Sequence, residues 1–331
     1  MLTGRITIAL VAAGALACGG SPPAPTSPTP APAPPAAQGC SQTSVGLTPL
    51  TDMGGERYFG HGGGLYPGGS NTAPAAHLSA GVQAATSIGP LDRDGQPDPA
   101  GRYALISVGM SNTTQEFQAF VGLASGEPSR DPRLTIVDGA QGGQTAADWA
   151  NPGCPCWVTL DSRIRQAGLS NLQVAAAWVK LANRQPSGDW PTATLQLKND
   201  TVVVLRALAD RFPNLRVAYL SSRIYAGYAT TTLNPEPYAY QSAFAMRWVI
   251  EDQLTGLLPW SGAGRVAPWV AWGPYLWADG LNPRRDGLTW ACTELSSDGT
   301  HPSTSGRQKV AQMLLDFFTS DLSAREWFVG P

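Results

Sequence analysis

The sequence predicts an α/β protein built on a mostly parallel sheet of five strands, covered by helices on both faces. Two observations carry that class. Five short, nearly continuous apolar runs recur along the chain, and segments with apolar residues at helical spacing fall between them. Strands buried on both faces read as such runs, and joining parallel neighbours requires a crossover that is usually a helix. Their alternation therefore points to a parallel sheet between helix layers.

Taken in order, the strand candidates are Tyr103–Val108, Leu134–Asp138, Leu172–Trp178, Leu215–Leu220 and Val266–Trp272. Thr114 to Phe120 reads as the helix after the first strand. The clearest helix is Leu195–Phe212, which sets Val202, Leu205, Leu208, Ala209 and Phe212 on one face. Tyr240, Phe244 and Trp248 form a second stripe, read as core. A last helix, Ser305 to Phe318, directs Val310, Met313, Leu314, Phe317 and Phe318 inward. The fold domain is expected over 102–331. Ahead of it, 40–101 is rich in Gly, Pro and Asn and reads as an irregular segment packed on that domain. Within it Gly60 to Gly69 reads as loop and Ala75–Ala85 as a short helix.

The first residues are a leader rather than fold. Arg5 precedes an apolar run, Ile6 to Leu16, that is too short to span a bilayer, and small residues lead to Cys18. Ala15-Leu16-Ala17-Cys18 resembles a bacterial lipobox, which implies a signal peptide over 1–17 and lipid attachment at Cys18. An ordinary secretory signal is the alternative, and either one exports the chain. Residues 18–39 are mostly Pro, Ala, Ser and Thr and read as an extended tether.

Formal net charge is −2 over 331 residues, with 14% charged, so no basic stripe argues for nucleic acid. Setting Cys18 aside leaves Cys40, Cys154, Cys156 and Cys292, an even number in an exported chain, which suggests two disulfides. Cys154 and Cys156 are too close in sequence to favour bonding to each other, so each is expected to pair with one of Cys40 and Cys292. Gly139-Ala140-Gln141-Gly142-Gly143 lacks the Lys-Ser/Thr of a phosphate loop and the spacing of a dinucleotide turn. His61 and His77 are expected to be structural, and no metal or other cofactor is called for.

Two stretches carry chemistry. Ser107-Val108-Gly109-Met110-Ser111-Asn112 runs from strand through a glycine turn into a helix. That places the Ser111 hydroxyl at a strand's C-terminal end and beside a helix N-terminus, where unpaired N–H groups favour developing negative charge. Asp298-Gly299-Thr300-His301-Pro302 supplies the only histidine of the C-terminal half, three residues after a carboxylate. A nucleophilic serine needs a base, and the base needs a partner that fixes its tautomer.

Ser111 after the first strand, the glycine turn after the second and Asp298-x-x-His301-Pro302 near the C-terminus together resemble the SGNH/GDSL hydrolases, a superfamily of esterases. The likeness spans about Tyr103 to Phe318 and lies nearest the carbohydrate acetylesterase branch. It implies a three-layer α/β/α sandwich of the flavodoxin-like kind. It also implies Ser111 as nucleophile, His301 as general base and Asp298 as its support, with oxyanion donors from the N–H of Ser111 and of Gly143. The family's third block, Gly-x-Asn-Asp, is replaced by Ala177-Trp178-Val179-Lys180-Leu181-Ala182-Asn183. Either Asn183 or Lys180 is left to fill its donor role.

Five of the eleven tryptophans lie between Trp260 and Trp290. Tyr275 and Trp277 are therefore expected on a loop where they stack on sugar, with Arg223 and Tyr225 facing the same cleft and Lys180 available to substrate. The resulting expectation is an exported serine esterase that removes a short acyl group from a small-molecule or glycan ester, held to a membrane through Cys18. The alternatives are a surface glycan-binding protein that has kept the fold without turnover, and an acyltransferase using the same triad.

Overall fold

The computed structural model describes residues 39–330. The expected leader (1–17), the lipidation site Cys18 and the tether up to residue 38 lie outside the described residues.

The chain opens with a two-residue-per-strand hairpin, β1 (Arg57–Tyr58) and β2 (His61–Gly62), and a helix α1 (Ala75–Thr86). The alternation then runs β3 (Tyr103–Gly109), α2 (Ser111–Ser125), β4 (Leu134–Val137), α3 (Ala146–Ala150), α4 (Pro155–Gln166), β5 (Val174–Lys180), α5 (Thr192–Arg211), β6 (Val217–Leu220), α6 (Tyr238–Leu254), β7 (Trp269–Trp272), α7 (Thr304–Ser320) and α8 (Arg325–Phe328). The five main strands pair in the order β4-β3-β5-β6-β7, all parallel. Helices pack in two groups: α2 against α7, with α8 and α1 beside them, and α5 against α6 and α3. The product is the three-layer α/β sandwich that the alternation predicts. Its strand order is the flavodoxin-like one, with the switch point between β3 and β5. Ser111 follows β3 and Lys180 ends β5, so both stand at that point.

Three local expectations change. The third strand starts at Val174 rather than Leu172, because Asn171–Gln173 form a 3-10 turn in which Ser170 N donates to the Gln173 side chain, and it runs past Trp178 to Lys180, which pairs with Gly109 of β3. Lys180 is thereby a strand residue on the same face as Trp178, whose ring stacks on Phe117 of α2. Gly60 to Gly69 is not all loop, since His61 and Gly62 pair with Tyr58 and Arg57.

The cysteines pair as Cys40–Cys292 and Cys154–Cys156, against the expected exchange. The chain turns into α4 at Cys154, its N-cap, with Cys156 in the first helical turn. That bend sets the two Cα atoms 5.2 Å apart, inside the range a disulfide spans.

The first bridge begins a strap that covers the loops after β6 and β7. Gln42 O accepts from Tyr225 Oη, Leu50 N donates to Tyr275 Oη, Thr48 O accepts from Tyr240 Oη and Leu65 O accepts from Trp272 Nε1. His77 on α1 is buried, its Nε2 2.9 Å from Val270 O and its ring against Trp269, and burial lowers its pKa.

Candidate active site

β3 delivers the chain to Ser111 through Gly109. A Cβ there would lie 2.3 Å from both Lys180 O and Thr113 Oγ1, so only glycine lets α2 start this close to β5. Thr113 Oγ1 donates to Lys180 O at 2.7 Å and tacks the first turn of α2 to that strand. Met110, the N-cap of α2, supplies no side-chain cap. The first N–H groups of the helix, Ser111's among them, are thus not claimed by a capping side chain.

The His301 loop closes over this turn. Asn112 Nδ2 donates to Thr300 O at 2.9 Å, and Leu295 bridges to Pro302. Gly299 sits at φ +63° with Tyr228 O only 1.8 Å from where a Cβ would stand, which explains glycine at that position. Within the loop Asp298 Oδ1 accepts from Thr300 N and His301 N, both at 3.0 Å, and Oδ2 lies 2.5 Å from His301 Nδ1. A carboxylate at Nδ1 keeps the proton there, so Nε2 accepts from the Ser111 hydroxyl, 2.7 Å away. Partial burial pushes the Asp298 carboxyl up. The three hydrogen bonds from His301 and Thr300 outweigh this, so it titrates below the usual aspartate range. A depressed carboxyl adds stability above its unfolded-state pKa and loses it as pH falls through the folded-state value. The side chains of His301 and Asp298 remain 24% and 32% exposed, open enough for a small ester to reach.

The glycine turn after β4 flanks Ser111. Ser107 Oγ accepts from Gly139 N and Ala140 N, Arg163 Nη1 donates to Asp138 O and Ala140 O, and Gln141 N donates to Gly109 O. Asp138 holds the start of this turn to α2 through Thr114 Oγ1 and Gln118 Nε2. The turn's backbone bonds run from Gln141 N and from Gln144 N, leaving the N–H groups of Gly142 and Gly143 outside them. Gly143 has φ +80°. It is Gly142 that lies against the serine, since a Cβ there would be 3.9 Å from Ser111 Cβ. Gly142, the first of the doubled glycine, joins the expected Gly143 in the turn that flanks Ser111.

The structure corrects the expectations for the remaining candidates. Asn183 is committed elsewhere: Oδ1 accepts from Ala147 N at the start of α3 and Nδ2 donates to Asp200 on α5. Lys180 is buried and its ammonium pairs with both oxygens of Glu116 on α2, so it offers nothing to a substrate. Tyr225, Tyr275 and Trp277 are buried beneath the N-terminal strap or its neighbours, with Trp277 Nε1 donating to Glu236. These aromatics are core because residues 40–65 cover a loop that the sequence alone leaves open.

Arg223 is buried too, with Nε and Nη2 lacking a partner among the described residues. Burial lowers its pKa, and Glu116, Glu236 and Asp298 act against that. Glu116, Lys180 and Arg223 thus make a charged layer in the core, with Asp298 and His301 within its field.

No family model and no curated protein matches the chain. Among solved structures it is similar to a protein classed by inference as an acylhydrolase from Bacteroides fragilis, at 12% identity over 76% of this chain and 100% of that one, TM-score 0.40. An acetylxylan esterase from Geobacillus stearothermophilus aligns at 13% identity over 69% and 97%, TM-score 0.39. A gut microbial diltiazem-metabolizing enzyme aligns at 16% over 65% and 46%, TM-score 0.38. Likeness at this level leaves the chemistry to the geometry of the site.

Proposed function

We propose that the protein is a serine esterase of the SGNH type, acting on short acyl esters of a carbohydrate. The observation that carries this reading is the continuous chain Ser111 Oγ–His301 Nε2 and His301 Nδ1–Asp298 Oδ2 on a partly open edge of the sheet. In the proposed reaction Ser111 Oγ attacks the ester carbonyl while His301 Nε2 takes its proton. The oxyanion forms beside the uncapped N-terminus of α2 and the Gly142-Gly143 turn, where N–H donors lower the barrier by about 3 kcal/mol each. His301 then protonates the leaving alcohol. Water activated by the same imidazole attacks the acyl-enzyme and frees Ser111. The chain supplies the nucleophile, the base and the oxyanion donors, and water is the second substrate.

An intact serine–histidine hydrogen bond favours turnover over a binding protein that has merely kept the fold. Export and lipid attachment at Cys18 belong to the same reading and rest on the leader sequence. The testing experiment compares p-nitrophenyl acetate hydrolysis by the wild type and Asp298→Asn. The amide offers Nδ1 an alternative donor and favours the wrong tautomer, so kcat is expected to fall by about 10⁴ near neutral pH. An inactive wild type, or an Asp298→Asn variant as fast as the wild type, would remove the triad reading.

A further inference from the structure

The hairpin formed by β1 and β2 presents the only aromatic ring among the large exposed apolar side chains of the described residues: Phe59, 71% exposed. Phe59 and Gly60 are its two turn residues, with φ of +45° and +84°. Two positive φ values define the tight turn that suits right-twisted strands, and its first position ordinarily holds Asn, Asp or Gly. A phenylalanine there is strained, and retaining strain at an exposed position calls for a functional reason.

The ring is also held in place. It lies nearly parallel to Trp190, 19° between planes with centroids 6.1 Å apart, and edge-on to Tyr58. Trp190 is wedged in turn among Tyr58, His61 and Trp248. Tyr58 Oη accepts from Gln241 Nε2 in the first turn of α6. Trp190 belongs to the connection that leaves the C-terminal end of β5, the sheet edge that also carries Ser111. The neighbours in the hairpin are polar and exposed: Glu56, Arg57 and His61.

We infer that the exposed ring of Phe59, backed by Trp190, forms a stacking platform for a flat glycan chain, the polymer that bears the ester. This rests on the carbohydrate-ester reading of the Ser111 site. An equatorially linked pyranose chain, such as a β-1,4-linked one, shows apolar C–H faces to an aromatic plane and hydroxyls to its rim. A ring held against Trp190 and Tyr58, in a hairpin whose exposed residues include Glu56, Arg57 and His61, meets both needs. One projecting ring among exposed polar neighbours in the hairpin offers little continuous apolar area to a protein partner.

The test uses Phe59→Asn, which puts a residue suited to the turn in place of the ring. Electrophoretic retardation would be measured in gels containing soluble acetylated xylan or hydroxyethyl cellulose. Alongside it go kcat/KM on acetylated xylan, hydrolysis of p-nitrophenyl acetate, the thermal midpoint and the solution mass. The wild type is expected to be retarded. Phe59→Asn is expected to lose retardation and to drop roughly threefold to tenfold in kcat/KM on the polymer through KM. Its p-nitrophenyl acetate rate should be unchanged and its thermal midpoint raised. A wild type retarded by neither polymer overturns the proposal, as does a variant retarded like the wild type. A change confined to the solution mass would make the hairpin a protein contact instead. Retardation does not need turnover, so a wild type that binds glycan but hydrolyses no ester would sink the esterase reading and leave the platform standing.

Discussion

Ser111→Ala is expected to lower kcat for p-nitrophenyl acetate by roughly 10⁴- to 10⁶-fold, and His301→Ala to do the same. In the proposed reaction the two side chains act in one event: across their 2.7 Å contact the nucleophile forms as the imidazole takes its proton. Removing either ends that step, so the double variant should be scarcely slower than each single one. Residual activity would come from the helix N-terminus and the glycine turn, which remain. Ser111 lies at the start of α2 and His301 in a loop held mainly by backbone bonds and by Asn112, so both variants should keep the wild-type circular dichroism spectrum. Additive losses in the double variant would contradict a coupled pair.

The second large effect concerns stability. Glu116 and Lys180 are wholly buried and bind each other through both carboxylate oxygens. The pKa of Lys180 is lowered to about 8: burial is the main cause, Glu116 acts against it, and Arg223 adds to the lowering. Glu116→Gln leaves two buried cations without that partner, so a loss of about 3–5 kcal/mol is expected in chemical denaturation. Lys180→Met should cost less, because Arg223 still faces the stranded carboxylate. Replacing both together, Glu116→Leu with Lys180→Met, removes a charge of each sign and should recover most of the loss.

The sign of the pH effect follows. In Glu116→Gln the folded state releases the Lys180 proton well below its ordinary 10.5, while the unfolded state holds it. The unfolded chain binds more protons across that window, so the variant's stability should rise from neutral pH towards 10. A single variant as stable as the wild type would show that the pair is not the buried, desolvated bond described here.

Much of this architecture was legible in the residues because the signals are local. Five apolar runs marked the five strands. The glycine at 109 and the Asp298-x-x-His301 spacing marked the candidate site, since both are dictated by turns a few residues long. What escaped depended on distant chain. Nothing near Tyr275 or Trp277 says that residues 40–65 fold across them, so an aromatic loop read as a cleft wall is in fact core. Lys180 changed role because its ammonium meets Glu116 on α2, 64 residues away in sequence. The Cys154–Cys156 bond depends on a helix beginning between the two cysteines. The Phe59 hairpin breaks the usual turn chemistry, so its residues did not announce it.

The most direct measurement of the central claim is covalent trapping. The protein would be treated with diisopropyl fluorophosphate and followed by intact mass, peptide mapping and residual esterase activity. One adduct per chain on the peptide bearing Ser111, formed in step with the loss of activity and absent from His301→Ala, is the predicted result. Activity that survives complete reaction, or an adduct on another residue that tracks the loss, would contradict Ser111 as the nucleophile.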